Sequence, residues 1–573
     1  KDIIDLAKKL EGCTRHISVH AAGVVIAPGP VTDYTPTQLD PRGGKIITQY
    51  EMHAIEDVGL LKFDFLGIKN LSILTDAVRM VKEINRLSVD IENIPLNDEK
   101  TFDLLSRGET MGLFQLNGAG MTRYLKDLRP TSIHDINAMV ALYRPGPMES
   151  IPKYIERKHK PELVSYLDHR LKDILDESYG VITYQDDVLL IAINLGGYSW
   201  LEADKLRKAM GKKIPKEMEA QREKLVEGFI KNGMTPKKAD EMWKLIEPFA
   251  AYGFNKAHAA SYGRVAYQTA YMKANFPVIY MTAVLTADSG EVEKIAEIIS
   301  ECKRMEIPVL PPDVNESFGS FTVVMGENGG KENIRFGLYT IKNLGTEIAD
   351  EVIEERKRGG KYKDLSDFLE RVRHRNVNKK SLESLIKSGA MDALGERNQM
   401  LLNLDEALEY NREFMKGKSS NQGSLFSLMN DAASIPKLRL KETRPARQEE
   451  KLLWERELLG LYVSGHPLEK FKDKLRELKT KIGGAKKLQN GFPVITAGII
   501  EEAKKIVTKR GESMFFMKIS DFTDSVETVI FPSLYEKSKD MIREGGCVAI
   551  QGKVSHRNGS PSIIVEKIKE LEV

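Results

Sequence analysis

Cysteine is scarce in this chain, with three in 573 residues, at Cys13, Cys302 and Cys547. Three widely spaced cysteines argue against a disulfide framework and suit a reducing, cytoplasmic compartment. No apolar run approaches the roughly 20 residues that span a bilayer, so a membrane partner is not expected. No secretory leader is legible at the first residues, although a chain shortened there would have lost one in any case. An excess of either charge is also missing: 86 Lys and Arg face 83 Asp and Glu, a net +3. Global basicity therefore does not announce nucleic acid, and any cations that meet phosphate must be local. A hydrophobic fraction of 41% beside 29% charged residues is ordinary and implies a packed core. The length implies roughly three to five domains.

The coarse pattern changes along the chain. Residues to about 70 alternate short apolar runs with Gly/Pro turns, which reads as a β-rich half-domain. Ahead of it, Ile3, Leu6 and Leu10 have helical spacing. From about 71 to 317 apolar residues recur at intervals of three and four, and 216–231 and 237–250 are amphipathic. Residues 334–394 read as small helices joined by Gly-containing hairpins. Residues 416–437 are polar and loosely patterned, a linker or exposed loop. From Pro493 onward short alternating runs return between turn signals, as in a small β-barrel.

The densest signal is the run Leu60-Leu61-Lys62-Phe63-Asp64-Phe65-Leu66-Gly67. As a strand it puts Lys62 and Asp64 on one face, and Leu61, Phe63 and Phe65 on the other. A carboxylate can hold a divalent ion while a neighbouring ammonium neutralises phosphate oxygens. The same pattern also fits an edge strand with a solvated Lys/Asp pair.

Other motifs surround this run. Ser18-Val19-His20-Ala21-Ala22-Gly23-Val24-Val25-Ile26-Ala27-Pro28 and Thr48-Gln49-Tyr50 precede it. Gly112-Leu113-Phe114-Gln115-Leu116 and Ala141-Leu142-Tyr143-Arg144-Pro145-Gly146-Pro147 follow. Leu206-Arg207-Lys208-Ala209-Met210-Gly211-Lys212-Lys213 and Tyr252-Gly253-Phe254-Asn255-Lys256-Ala257-His258 come later. In this order they resemble the C-family replicative polymerases, the alpha subunits of bacterial DNA polymerase III, over essentially the whole chain.

The resemblance implies a multidomain α+β protein. It would hold a partial polymerase-beta-like palm, large helical fingers, a helix-hairpin-helix clamp-binding domain and a C-terminal OB β-barrel. The expected boundaries are 1–75 for the end of the thumb and the later part of the palm, and 76–320 for the fingers. The clamp-binding domain would cover 321–440, a helical connector 441–490 and the OB-fold 491–573. In that family the palm carries three aspartates, two of them in an Asp-x-Asp motif. Asp64 matches the third, a catalytic residue and Mg²⁺ ligand. No Asp-x-Asp occurs in this chain, and Asp90-Ile91-Glu92 reads as surface ahead of a Pro-containing loop. A PHP domain, the first part of the palm and most of the thumb are absent, so a fragment of a longer product is expected. Two-metal chemistry needs several carboxylates, and this chain alone is expected to be inactive.

The fingers of the family grip the incoming nucleotide. Lys62, Arg144, Arg207, Lys208, Lys212, Asn255, Lys256, His258 and Tyr262 match its cationic and polar positions. Asn255, His258 and Tyr262 have helical spacing. Lysine offers a point charge, histidine a donor and tyrosine a packing ring. Asn255 also suits a helix cap with Tyr262 in the core. Arg207, Lys208 and Lys212 also suit a solvated helix end. Arg144 precedes a stiff Pro-Gly-Pro turn, which fits a phosphate contact or a structural salt bridge equally. Cys13, His16 and His20 have part of a zinc spacing without an evident fourth ligand, and the resemblance places His20 beside the palm site instead.

Binding modules follow. Residues 341–349 and 381–390 look like helix-hairpin-helix units, in which Gly345 and Gly389 permit tight turns whose amides meet DNA phosphate. A plain helical hairpin is the alternative. Gln422-Gly423-Ser424-Leu425-Phe426 resembles the peptide that docks on the bacterial sliding clamp, with Gln422, Leu425 and Phe426 as anchors. It also suits a short helix folded back on its domain. In the β-rich tail, Lys509, Arg510 and Phe515 join Lys504, Lys505 and Phe516 as equipment for single-stranded DNA. Both phenylalanines also suit a core. The expected activity is template-directed DNA synthesis, with primer-template DNA, deoxynucleoside triphosphates, the sliding clamp and other replisome subunits as partners. The rival is a non-catalytic DNA- and clamp-binding module.

Overall fold

The computed structural model describes residues 2–13, 16–41, 43–212, 215–250, 254–326, 330–374, 376–419, 438–507, 511–556 and 561–571. They form two compact units that divide between Ser72 and Ile73. Five domains were expected from the sequence; the contacts cluster more coarsely.

The first unit contains α1 (Asp2–Leu10), β1 (Gly23–Ile26), β2 (Thr37–Leu39), β3 (Ile46–Thr48), α2 (Met52–Asp57) and β4 (Leu61–Asp64). Antiparallel β1 and β4 pair with Gly23 opposite Asp64 and Val25 opposite Lys62. Strands β2 and β3 form a separate hairpin. Among the described residues only Thr35, Ile55 and Leu60 of this unit are buried. The face opposite Lys62 and Asp64 stays open: Phe63 and Phe65 are exposed, as are Val24 and Ile26 beside them.

The helices of the second unit used below are α3 (Ile133–Leu142), α4 (Ile151–His159), α5 (Gln185–Asn194), α6 (Trp200–Lys212), α7 (Pro236–Ala250), α8 (Lys256–Asn275) and α9 (Val292–Arg304). Then come α10 (Thr346–Gly359), α11 (Lys379–Lys387), α12 (Gln448–Leu459) and α13 (Pro532–Ser538). Helix α8 is the central beam. It buries Ala259, Ala266, Ala270 and Gly263, small residues that allow close approach to α3. A Cβ at Gly263 would run into the Asn137 amide oxygen.

A small sheet was not legible in the sequence. Strand β5 (Val309–Leu310) runs parallel to β7 (Glu332–Arg335), which pairs antiparallel with β6 (Thr322–Met325). Strands of two and four residues are too short to show alternation. The C-terminal barrel was legible. Strands β8 (Pro493–Val507), β9 (Ser513–Ser520), β10 (Ser525–Ile530), β11 (Cys547–Ser555) and β12 (Ser562–Glu570) close in the order β10-β12-β11-β8-β9. Parallel pairing of β10 with β12 completes the closure. The 15-residue β8 pairs with β11 along its first half and β9 along its second. An irregularity between Ile500 and Glu502 bends it between the two. Val494, Met517, Ile519, Val548 and Ile550 fill the interior.

Candidate functional site

Strand β4 delivers Asp64. Its carboxylate accepts a hydrogen bond from Lys62 Nζ at 2.7 Å. The His20 Nδ1 lies 3.3 Å from the same oxygen. Gly23 makes room for that imidazole: a Cβ there would sit 2.7 Å from His20 Nδ1. Lys62 is 16% exposed and Asp64 42%, so the ammonium is tucked in while the carboxylate faces water. The hydrogen bond from Lys62 holds the Asp64 pKa below the ordinary carboxylate value. Asp64 is therefore an anion at neutral pH, with one oxygen engaged.

One carboxylate does not hold two cations. Among the described residues no cluster of three His, Cys, Asp or Glu side chains is placed to hold a metal. The donor set of the described residues does not fit a two-metal centre. Asp90 and Glu92 are exposed, and Asp90 caps a short turn by accepting from Glu92 N at 3.1 Å. Cys13, in the zinc-like spacing, donates to the Lys9 carbonyl, and His20 turns to Asp64.

In the second unit, α8 begins with Asn255, whose Oδ1 accepts from His258 N at 2.8 Å. Its side-chain oxygen thus serves the helix cap. The first turn of α8 then projects a stack of rings. Phe254 and His258 have centroids 5.0 Å apart, His258 and Tyr262 4.0 Å, and Tyr262 and Phe114 5.2 Å. Tyr184 joins this group through a bridge to Phe254. The Arg144 guanidinium lies over the Phe254 ring, 3.7 Å from its centroid. No carboxylate lies within ion-pair distance of Arg144 among the described residues, so the salt-bridge expectation gives way to a cation–π contact. Lys256 Nζ pairs with Glu177 at 3.0 Å, and its amide donates to Asp186 at 2.8 Å.

Arg144, Lys256, His258 and Tyr262 thus gather at one helix N-terminus although about 110 positions separate the first from the rest. Arg207 and Lys208 do not share those contacts. On α6 both pair with Asp204, at 2.7 and 2.8 Å. Lys212 ends α6, and its side chain is outside the described residues. Sequence reasoning passed over Glu177, Asp186 and Tyr184. The run of acids at Asp186-Asp187 behind Tyr184 was the available signal, since Asp187 caps Thr183 N and Tyr184 N at 2.9 and 2.8 Å.

Gly345 precedes α10 as its N-cap, and a Cβ there would meet nothing within 4 Å. That turn is open to solvent. Gly389 ends α11 with φ +87° and its amide already donates to the Ile386 carbonyl. Arg397 crowds it from the other side, so Gly389 offers a packed turn and no open amide. On the barrel, Phe515 stacks on Tyr535 of α13 at 4.8 Å and packs against the core. Phe516 is the outward ring, opposite Lys504 and Val529. Lys509, Arg510, Gln422, Leu425 and Phe426 lie outside the described residues.

A large helical body, a helix-hairpin-helix region and a closed OB-type barrel define a modular α+β chain carrying an OB-fold nucleic acid binding domain. The OB description matches residues 494–571 and the helix-hairpin-helix description 306–401. The finger domain of the bacterial DNA polymerase III alpha subunit matches 70–233, and the NTPase domain of that subunit matches 1–67. DNA polymerase III subunit alpha of Thermus aquaticus is 43% identical over 95% of this chain and 44% of that protein. The namesake of Borreliella burgdorferi is 40% identical over 100% and 50%, and that of Escherichia coli K12 37% over 97% and 49%. Over 95–100% of its length the chain is similar to bacterial DNA polymerase III alpha subunits. It spans about half the length of the curated relatives it matches. Among solved structures, asparaginyl-tRNA synthetase of Pyrococcus horikoshii is 25% identical over 17% of this chain and 23% of its own, with a TM-score of 0.14, too slight for any argument.

Proposed function

We propose that this chain is the later half of a bacterial replicative DNA polymerase and works in template-directed DNA synthesis within the longer protein. The observation that carries this reading is identity of 37–43% running through 95–100% of the chain to relatives of that name. In this reading 1–75 ends the thumb and palm, 76–320 is the fingers, 321–440 binds the clamp, 441–490 connects and 491–573 is the OB-fold. Asp64 would be one ligand to Mg²⁺, which would supply charge neutralisation at the transferred phosphate. The other carboxylates come from outside this chain. Lys62 keeps Asp64 ionised and adds positive charge beside it.

Arg144, Lys256, His258 and Tyr262 grip the incoming deoxynucleoside triphosphate. Lys256 must exchange Glu177 for phosphate, and Arg207, Lys208 and Lys212 are a second cationic stripe. Gly345 meets template phosphate. Phe516 and Lys504 take single-stranded DNA on the barrel, with Lys509 and Arg510. Gln422, Leu425 and Phe426 dock on the sliding clamp in the cytoplasm, among other replisome subunits. A non-catalytic DNA- and clamp-binding module is the second reading, favoured for this chain by itself by its single carboxylate at the Lys62 strand.

The test compares two proteins on a primed template with four deoxynucleoside triphosphates and Mg²⁺. The gene product that includes the rest of the protein should extend the primer, and the 573-residue chain alone should not. Extension by the short chain, or none by the long one, would contradict the reading.

A further inference from the structure

Away from the ring stack, Ser150, α4, the segment from 165 to 182 and Leu245 of α7 line a half-open cavity of about 360 Å³. That volume lies within the range of small-ligand pockets, roughly 300–1,000 Å³. Two cations line it, Lys153 and Arg157, one helical turn apart on α4. Ser150 and Ser165 contribute hydroxyls, Tyr166 lends its ring while its own hydroxyl donates to Asp176 at 3.0 Å, and Leu171, Leu175 and Ile182 supply an apolar wall. No Asp or Glu lines it among the described residues.

The balance of charge is unusual. Arg157 is 8% exposed, yet its partners are neutral. Nη1 donates to the carbonyls of Tyr179 and Gly180 at 3.1 and 2.9 Å, and Nη2 to Ser165 Oγ at 3.1 Å. Gly180, in the left-handed region at φ +73°, brings its backbone under the guanidinium; a Cβ there would sit 2.8 Å from Nη1. Lys153 has no ion-pair partner among the described residues. Desolvation, and then the field of Arg157, pull its pKa below the ordinary lysine value. Two like charges at helical i,i+4 spacing repel, and neither is offset by a carboxylate in the cavity. A bound anion would remove that repulsion and could accept from the Ser150 and Ser165 hydroxyls, as phosphate does with clustered cations.

We propose that this cavity binds a nucleoside phosphate, its phosphate on Lys153 and Arg157 and its sugar or base against the leucine wall. The source is a free nucleotide or one unit of a nucleic-acid strand. The site is separate from the Arg144–Lys256 cluster and stands without the polymerase reading. The segment that lines it continues into Tyr184, and Glu177 on that segment pairs with Lys256.

The experiment is calorimetric titration of the intact chain with dAMP, with a 12-residue oligo(dT), and with deoxyadenosine and inorganic phosphate as controls. Lys153→Glu reverses the exposed charge, Ser150→Trp fills the cavity, and Lys294→Ala removes an exposed lysine that does not line it. Affinity for dAMP, the oligonucleotide or both should fall at least tenfold in the first two variants and hold in the third. A loss confined to dAMP identifies a free nucleotide; a loss for oligo(dT) identifies a strand. The proposal is overturned if Lys153→Glu and Ser150→Trp leave both affinities unchanged, if Lys294→Ala lowers them as much, or if deoxyadenosine binds as well as dAMP.

Discussion

Lys273 is fully buried in the last turn of α8, and each of its three donors is used. They reach the Glu109 and Met111 carbonyls at 2.9 Å each and Glu301 of α9 at 2.7 Å. Burial works against the Glu301 charge, but hydrogen bonds from Arg304 and Lys273 pull its pKa down to about 2. A carboxylate whose folded pKa is depressed adds stability above its unfolded value, and that stability is lost as pH falls toward the folded one. Glu301→Gln should therefore cost about 3–5 kcal/mol at pH 7, the scale of breaking a buried pair. The difference from the parent should shrink between roughly pH 5 and pH 2 in denaturant unfolding. A deficit independent of pH would show that the charge is not the cause. At Arg144 the reverse applies. Its guanidinium rests on Phe254 without a carboxylate, so its charge is available to a ligand. Arg144→Ala in the longer protein should raise the KM for deoxynucleoside triphosphate about tenfold or more. Stability should change by no more than about 1 kcal/mol, the scale of an exposed cation–π contact. An unchanged KM would remove Arg144 from the nucleotide site.

Single elements explain which sequence expectations translate into structure. The Lys62/Asp64 alternation was readable because a strand has period two, and the register of β4 with β1 keeps both on one side. The amphipathic stretch at 237–250 lies within a helix for the same kind of reason. The phenylalanine pair on β9 was readable only in part. Alternation states that Phe515 and Phe516 face opposite ways, but not which faces in. That choice is made by α13, whose Tyr535 closes over Phe515, and by closure through β12. Both are non-local. Phe516→Ala should weaken single-stranded DNA binding by about 1–3 kcal/mol, the worth of one base–ring stack, and leave barrel stability nearly intact. Phe515→Ala should do the opposite, lowering the melting temperature with little direct effect on DNA. Equal effects on DNA at both positions would refute the assignment. The meeting of Arg144 with Phe254 was not legible either, since each motif gave the residues but no pattern gave the packing of α3 on α8.

At the scale of the molecule, the first unit contrasts with the second. Up to Ser72 the described residues bury Thr35, Ile55 and Leu60, while Leu10, Leu61, Phe63 and Phe65 are exposed. Such apolar surface normally marks a face made to be covered. The second unit has deep cores, in α8 and its neighbours and inside the barrel. The order of modules was legible from the motif series, because each motif is local. The two-unit division was not, since it depends on how many contacts cross each linker. The carboxylate on β4 ties these levels together: a side chain held ionised by Lys62, on a strand, in a chain that matches half of a replicative polymerase. The decisive measurement is primer extension and primer-template binding on the same full-length protein carrying Asp64→Asn. Extension should fall by more than about a hundredfold, since even outer partners of a metal ligand are worth about 10–100-fold, with template affinity retained. Extension at the parental rate, with binding equally intact, would contradict the account.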